Sequence, residues 1–267
     1  MSGVNLITRQ PMAARRQARR RSRAFTLVDV LVSIAVIMVL ISLMMPALSK
    51  ATETAHRLVC SSNVRQIGIG MLMYADTNKD LIPPTTFYDP TANKAEQMLM
   101  LRLASGTTAG DFEPETGGWD GLGLLYFGGY LDHAACFYCP SHDGAHPLSQ
   151  YSDKFGDLPA EVYGNYQYRG AGPQGQRFLS RIEPRRTALV ADGMRVRSDY
   201  NHDVGSNVMR ADLSVTWFSD FGGQIVSRLP LQEADARSQV VMDAWALIDR
   251  QLDATTRSGD SKPPDEN

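Results

Sequence analysis

From Val30 to Leu48 the chain carries no charged side chain, and apolar residues fill nearly every position. Phe25–Met45 is 21 residues, about 31 Å as a helix at ~1.5 Å per residue, which covers a bilayer core of ~30 Å. Beyond Pro46 the pattern turns amphipathic. Cys60, Val64, Ile67, Met71 and Tyr74 are spaced 4, 3, 4 and 3, which places them on one helix face. Glu53, Arg57, Ser61 and Arg65 are assigned to the opposite, solvated face. Asp76–Asp80 and Pro83-Pro84 end the run. Residues 25–78 thus predict one long helix, transmembrane first and amphipathic after, kinked at Pro46 by a lost backbone bond.

Residues 79–230 change character. Gly117-Gly118, Gly121, Gly123 and Gly128-Gly129 punctuate an aromatic-rich segment. Thr187–Ala191, Asn207–Ala211 and Val215–Phe218 read as strands, the last two joined as a hairpin through Asp212-Leu213-Ser214. Helical spacing returns over 231–254, with Val241, Ala244, Trp245, Ile248 and Leu252 on one side. Residues 255–267 are polar, with Pro263-Pro264 and terminal acids, the composition of a disordered tail. The fold class expected is α+β: a long N-terminal helix on a small antiparallel β-rich domain, closed by a C-terminal amphipathic helix.

Charge adds orientation. Residues 1–24 hold seven arginines and no acid, so that end stays cytoplasmic and the rest is exported. Without this leader, 20 Lys and Arg face 29 Asp and Glu, near −9, and no basic stripe remains for a nucleic acid. Asp29 is the anomaly. A carboxylate in a membrane helix costs about 2.5–3.5 kcal/mol on insertion scales and calls for a partner. Three plainer origins compete for the segment. A secretory signal cut after Ala47-Leu48-Ser49 would have a shorter apolar region and no acid at its start. A simple anchor explains the length and the arginines but neither Phe25-Thr26-Leu27 nor Asp29. A buried core helix has no need of the arginines.

The order Ala24, Phe25-Thr26-Leu27, Asp29, apolar helix and Pro46 resembles the type IV prepilin signal. In that class a Gly precedes the Phe and a Glu stands at the fifth position; Ala24 and Asp29 replace them here. The resemblance implies cleavage between Ala24 and Phe25 by a prepilin peptidase and methylation of Phe25. It also implies that Asp29 neutralises the new amine of a neighbouring subunit. The stretch CSSNVRQIGIGMLMYADTNKDLIPP, Trp119, Cys139-Pro140 and the late His are similar to prepilin-type proteins of the H-x9-D-G group. His202 and Asp212 match that motif, while Leu213 replaces its glycine, so a tight Asp-Gly turn is expected to be lost. Both resemblances imply a single-pass subunit of the cytoplasmic membrane with its globular domain outside. Its partners would be the peptidase, other pilin-like subunits and an assembly platform, in a type II secretion or type IV pilus-like machine. A solitary tethered binding domain is the alternative.

Candidate chemistry is sparse. Cys136, Cys139, His142 and His146 have a Cys2His2 ligand set, but zinc fingers separate such pairs by about a dozen residues, and here all four crowd together. Zinc on these four is therefore disfavoured. A disulfide between two of the three cysteines and simple burial as thiols are both open. For a disulfide, the family-like stretches favour Cys60 with Cys139 and leave Cys136 over. Asp76, Asn78 and Asp80 alternate as in calcium loops but lack the Gly and Glu in register, so a helix-ending turn is preferred. No nucleophile elbow or phosphate loop is present in the sequence. No cofactor is expected, and the chain is not expected to be an enzyme.

Overall fold

The computed structural model describes residues 26–89, 94–103, 116–156, 160–202 and 204–259, and the side chains of these up to 254. The leader, the cleavage pair Ala24 and Phe25, and residues 260–267 lie outside the described residues. The chain divides into two compact units, Met1–Ser49 and Lys50–Asn267.

Helix α1 spans Leu27–Thr77 and contains Pro46. In the first unit every described residue is exposed, although the stretch is the most apolar of the chain. By length and composition α1 is able to cross a membrane. Ser33 and Ser42 donate their hydroxyls to the carbonyls of Asp29 and Val39 at 2.6 and 2.8 Å. An apolar helix carries such residues at little cost because no polar group is left bare.

The second unit is α+β, as the patterning predicts. Strands β3 (Tyr166–Tyr168), β4 (Ala188–Asp192), β5 (Gly205–Arg210) and β6 (Val215–Ser219) form an antiparallel sheet in that order. A two-stranded ladder pairs β1 (Met100–Arg102) with β2 (Val162–Tyr163). Short helices α2 (Gly123–Phe127) and α3 (Leu148–Tyr151) lie in the connections. One face of the main sheet packs Tyr166, Tyr168, Leu189 and Met209 on Cys60, Val64, Ile67 and Met71 of α1. The other packs Ala188, Ala191, Val208 and Phe218 against α4 (Ser238–Gly259), through Val241, Ala244, Trp245, Ile248 and Leu252. In β5 strand alternation explains the division, since Val208 and Met209 fall in opposite clusters. In β4 a register shift between Ala188 and Val190 interrupts it, so that Ala188 and Ala191 share the α4 side.

Three expectations need correction. Glu53 and Arg57 do not lie opposite the core stripe of α1; both are half-buried. Their spacing to Cys60 continues the 4, 3, 4 rhythm, so helix geometry puts them on the same face. The turn after Asp212 is also kept without glycine. Leu213 adopts φ 64, Arg210 N–H donates to Ser214 O at 2.9 Å, and Asp212 Oδ1 accepts from Ser214 N–H at 3.0 Å. The leucine side chain packs on the core, which offsets a left-handed conformation costing about 1–2 kcal/mol. Finally, α4 begins at Ser238 rather than Leu231 and runs to Gly259, five residues into the segment expected to be disordered. Glu233–Asp235 forms a 3-10 turn instead, where Glu233 is taken by Arg195 at 2.8 Å and His146 at 3.2 Å.

Asp120 ties α2's approach to the segment after α1. It is fully buried and accepts from Thr85 Oγ1 at 2.6 Å and Thr86 N–H at 2.7 Å. Burial pushes its carboxyl up to about 6, against the pull of those two donors. Its folded pKa lies above its unfolded value near ~4, so the folded state binds the extra proton and this group makes stability fall from about pH 4 to 6. Asp120→Asn should flatten that slope and raise stability at neutral pH by about 1–3 kcal/mol. Melting curves of both proteins across about pH 4–8 check it; parallel curves would contradict it.

Candidate functional site

At the start of α1, Thr26 and Asp29 bond reciprocally. Thr26 N–H donates to Asp29 Oδ2 at 3.0 Å, and Asp29 N–H donates to Thr26 Oγ1 at 3.2 Å. This is a capping box, in which two otherwise unpaired helix donors are satisfied. Asp29 therefore has a local structural task as well as any task toward another chain. Pro46 stands inside the same helix, in its apolar half.

The most concentrated chemistry lies in the second unit. Cys60 on α1, Cys139 after the 3-10 turn Ala134–Phe137, Asp192 closing β4 and His202 before β5 are all buried. One ligand atom from each lies within 4.8 Å of the other three. Cys60 Sγ donates to Asp192 Oδ1 at 3.2 Å and contacts Tyr166 OH at 3.3 Å. Cys139 Sγ stands 3.6 Å from His202 Nε2. A second layer holds these groups. His202 Nδ1 meets Glu53 Oε1 at 2.7 Å; Glu53 also takes Arg57 Nε at 3.1 Å and Ser141 Oγ at 2.8 Å. Asp192 accepts from Asn201 Nδ2 at 3.1 Å on Oδ1 and from Asn207 N–H at 2.9 Å on Oδ2. Arg57 lies 4.4 Å over the Trp217 ring.

The electrostatics diverge within the cluster. Burial drives the Cys60 thiol up, well out of the physiological range. The hydrogen bond from Cys60 pulls Cys139 down, overcoming its own burial. Burial opposes charge on His202, but the bond to Cys139 and the nearby Asp192 raise it to about 9. Burial likewise opposes charge on Glu53, yet Ser141, His202 and Arg57 together hold it below the usual range. Cys139, His202 and Glu53 thus have the order of a nucleophile, a base and an orienter. At 5% and 1% exposure, Cys139 and His202 offer a bulky substrate no approach.

The structure sorts the sequence candidates. Cys60, Cys139 and His202 come together. The expected Cys60–Cys139 bridge is not formed, and all three cysteines are free thiols. The Cys136, Cys139, His142, His146 set does not form one site. Cys136 Sγ donates to Gln66 Oε1 at 3.1 Å, His142 Nδ1 meets Asn201 Oδ1 at 2.8 Å, and His146 Nδ1 meets Tyr151 OH. Asp212 sits exposed in the β5–β6 turn, apart from His202. Asp80 accepts from Ser180 N–H at 3.2 Å, in keeping with a helix-ending turn. Sequence reasoning misses Asp192 and the orienting role of Glu53; an acid closing the apolar run TALVAD is the signal available.

A family profile described as a protein of unknown function, DUF1559, matches residues 49–198, more than half of the chain. The chain belongs to this family. The DUF1559 match takes in Glu53, Cys60, Cys139 and Asp192, and stops just short of His202. Neither a curated protein nor a solved structure matches the chain.

Proposed function

We propose that this DUF1559 protein is a structural, non-catalytic subunit of a pilin-like assembly, anchored in the cytoplasmic membrane by α1. A prepilin peptidase would cut between Ala24 and Phe25, and neighbouring apolar helices would bundle with the globular domains outside. The observation that carries this is Asp29, an acid near the head of a helix with no buried residue over its apolar half. Leu58, Ile69, Leu72 and Met73, on the domain half of α1, are exposed as well, as on a helix that packs against neighbouring subunits.

Capping and assembly make different demands on Asp29. A cap needs an acceptor; neutralising an amine needs a charge. An asparagine there could still accept from Thr26 N–H, so Asp29→Asn keeps the cap and removes the charge. The expected result is that Asp29→Asn and Asp29→Ala both insert normally yet lose in vivo cross-links between neighbouring α1 helices by roughly tenfold or more, since an unneutralised amine then enters the bundle. Asp29→Glu should assemble. If the Asn variant assembles while the Ala variant does not, Asp29 is a cap only. If the wild type never cross-links, the chain is a solitary tethered domain.

A further inference from the structure

We propose that Cys60, Cys139, Asp192 and His202 are the four ligands of a structural zinc ion. Thiolate, imidazole and carboxylate are the donors zinc accepts, and a closed four-ligand set is the hallmark of a structural rather than a catalytic site. Zinc bonds of about 2.0–2.3 Å set tetrahedral edges of roughly 3.3–3.8 Å. The Cys60–Asp192 and Cys139–His202 separations are 3.2 and 3.6 Å, and no pair of ligand atoms exceeds 4.8 Å. Small side-chain shifts close the remainder.

The surrounding layer is arranged for this. A metal-bound histidine usually gives its other ring N–H to a carboxylate, which fixes its tautomer and aims the free nitrogen at the metal. Glu53 takes Nδ1 of His202 at 2.7 Å and leaves Nε2 facing Cys139. Asp192 is held by the Asn207 N–H on Oδ2, so Oδ1 faces Cys60. The Asn165 side chain accepts from the Cys139 N–H at 3.2 Å and fixes that turn. Binding forms two Zn–S bonds, one Zn–N and one Zn–O, and releases the two thiol protons, with the imidazole proton where His202 is charged, to solvent. Two thiolates, one carboxylate and a dication leave one negative charge, as in a Cys3His site. The ligands arrive from α1, the turn after Phe137, the end of β4 and the loop before β5. The ion would therefore join the domain half of α1 to the sheet.

The test uses the full-length chain in detergent, purified with reductant and without chelator, then metal analysis and titration with cobalt(II) or zinc chloride. About one equivalent of zinc is expected, with thiolate-to-cobalt charge transfer and the visible absorption of a tetrahedral centre. Cys60→Ser, Cys139→Ser and His202→Ala should each abolish that spectrum. Cys136→Ser and His142→Ala should keep it. Glu53→Ala should retain the centre with affinity about 10- to 100-fold weaker. Circular dichroism separates lost ligation from lost folding, and the wild-type cobalt spectrum decides the matter even where a ligand variant fails to fold. The proposal is overturned if the reduced wild type takes up no metal. It is equally overturned if Cys136→Ser loses metal while Cys60→Ser keeps it, or if the chain isolated from membranes holds Cys60 and Cys139 as a disulfide.

Discussion

Gly123→Ala should destabilise the second unit by about 3 kcal/mol or more, at or beyond the upper end of ordinary overpacking costs. A Cβ at Gly123 would stand 1.9 Å from the carbonyl oxygen of Leu101 and 2.9 Å from the Trp119 ring. The obstacle is backbone, not a flexible side chain. That carbonyl already accepts from Asp120 N–H at 2.9 Å, and Leu101 lies in the middle of β1. Relief therefore requires β1 to move away from the turn that Asp120 anchors, or α2 to unwind. Gly129→Ala is the control: its φ is +71 but nothing lies within 4 Å, so only the left-handed penalty of about 1–2 kcal/mol applies. Thermal melts should separate the two by several degrees, on the order of 2–4 °C per kcal/mol for a unit of this size. Equal losses would mean that β1 yields freely.

How much of this is legible in the chain depends on the range of the interaction. The core stripe of α1 and the apolar face of α4 follow from helical period alone, and Val64, Ile67, Trp245 and Ile248 are buried as that period requires. The β5–β6 hairpin is equally local, since its register runs from Gly205↔Ser219 to Met209↔Val215 around one turn. Glu53 escapes for a different reason. Its polarity points to solvent while its phase points to the core, and phase wins; a polar residue within a core stripe is itself a sign of a buried partner. The site is out of reach because its pairs span the chain: Cys60 meets Asp192 across 132 positions and Glu53 meets His202 across 149. Spacing rules address ligands that share an element or a loop. They single out Cys136, His142 and His146, which are near in sequence but bonded elsewhere. Leu213 shows the same limit, because the packing that offsets its strained conformation is tertiary.

Asp249→Ala should cost about 3–5 kcal/mol, the loss typical of a buried ion pair stripped of one partner. Asp249 on α4 accepts from Arg169 Nη1 at 2.6 Å and from Ala188 N–H at 2.9 Å. Arg169 in turn donates to Ala188 O at 3.2 Å and lies 5.6 Å over the Trp245 ring. One carboxylate thus joins α4 to the start of β4, and its removal takes from a guanidinium at 8% exposure the ion-pair partner it has among the described residues. Burial pushes the Asp249 carboxyl up despite the neighbouring Arg169. Desolvation therefore outweighs attraction at this carboxylate, and a pair of that kind is replaceable. Arg169→Met combined with Asp249→Leu should recover most of the loss, because both charges leave together and the volume stays filled. A double-mutant cycle by denaturant unfolding reads this as a coupling well above the ~0.5 kcal/mol of independent sites. Additive losses would mean that α4 is held by its apolar face alone. In that case Trp245, Ile248 and Leu252 would carry the attachment, and the ion pair would only fix where α4 meets β4.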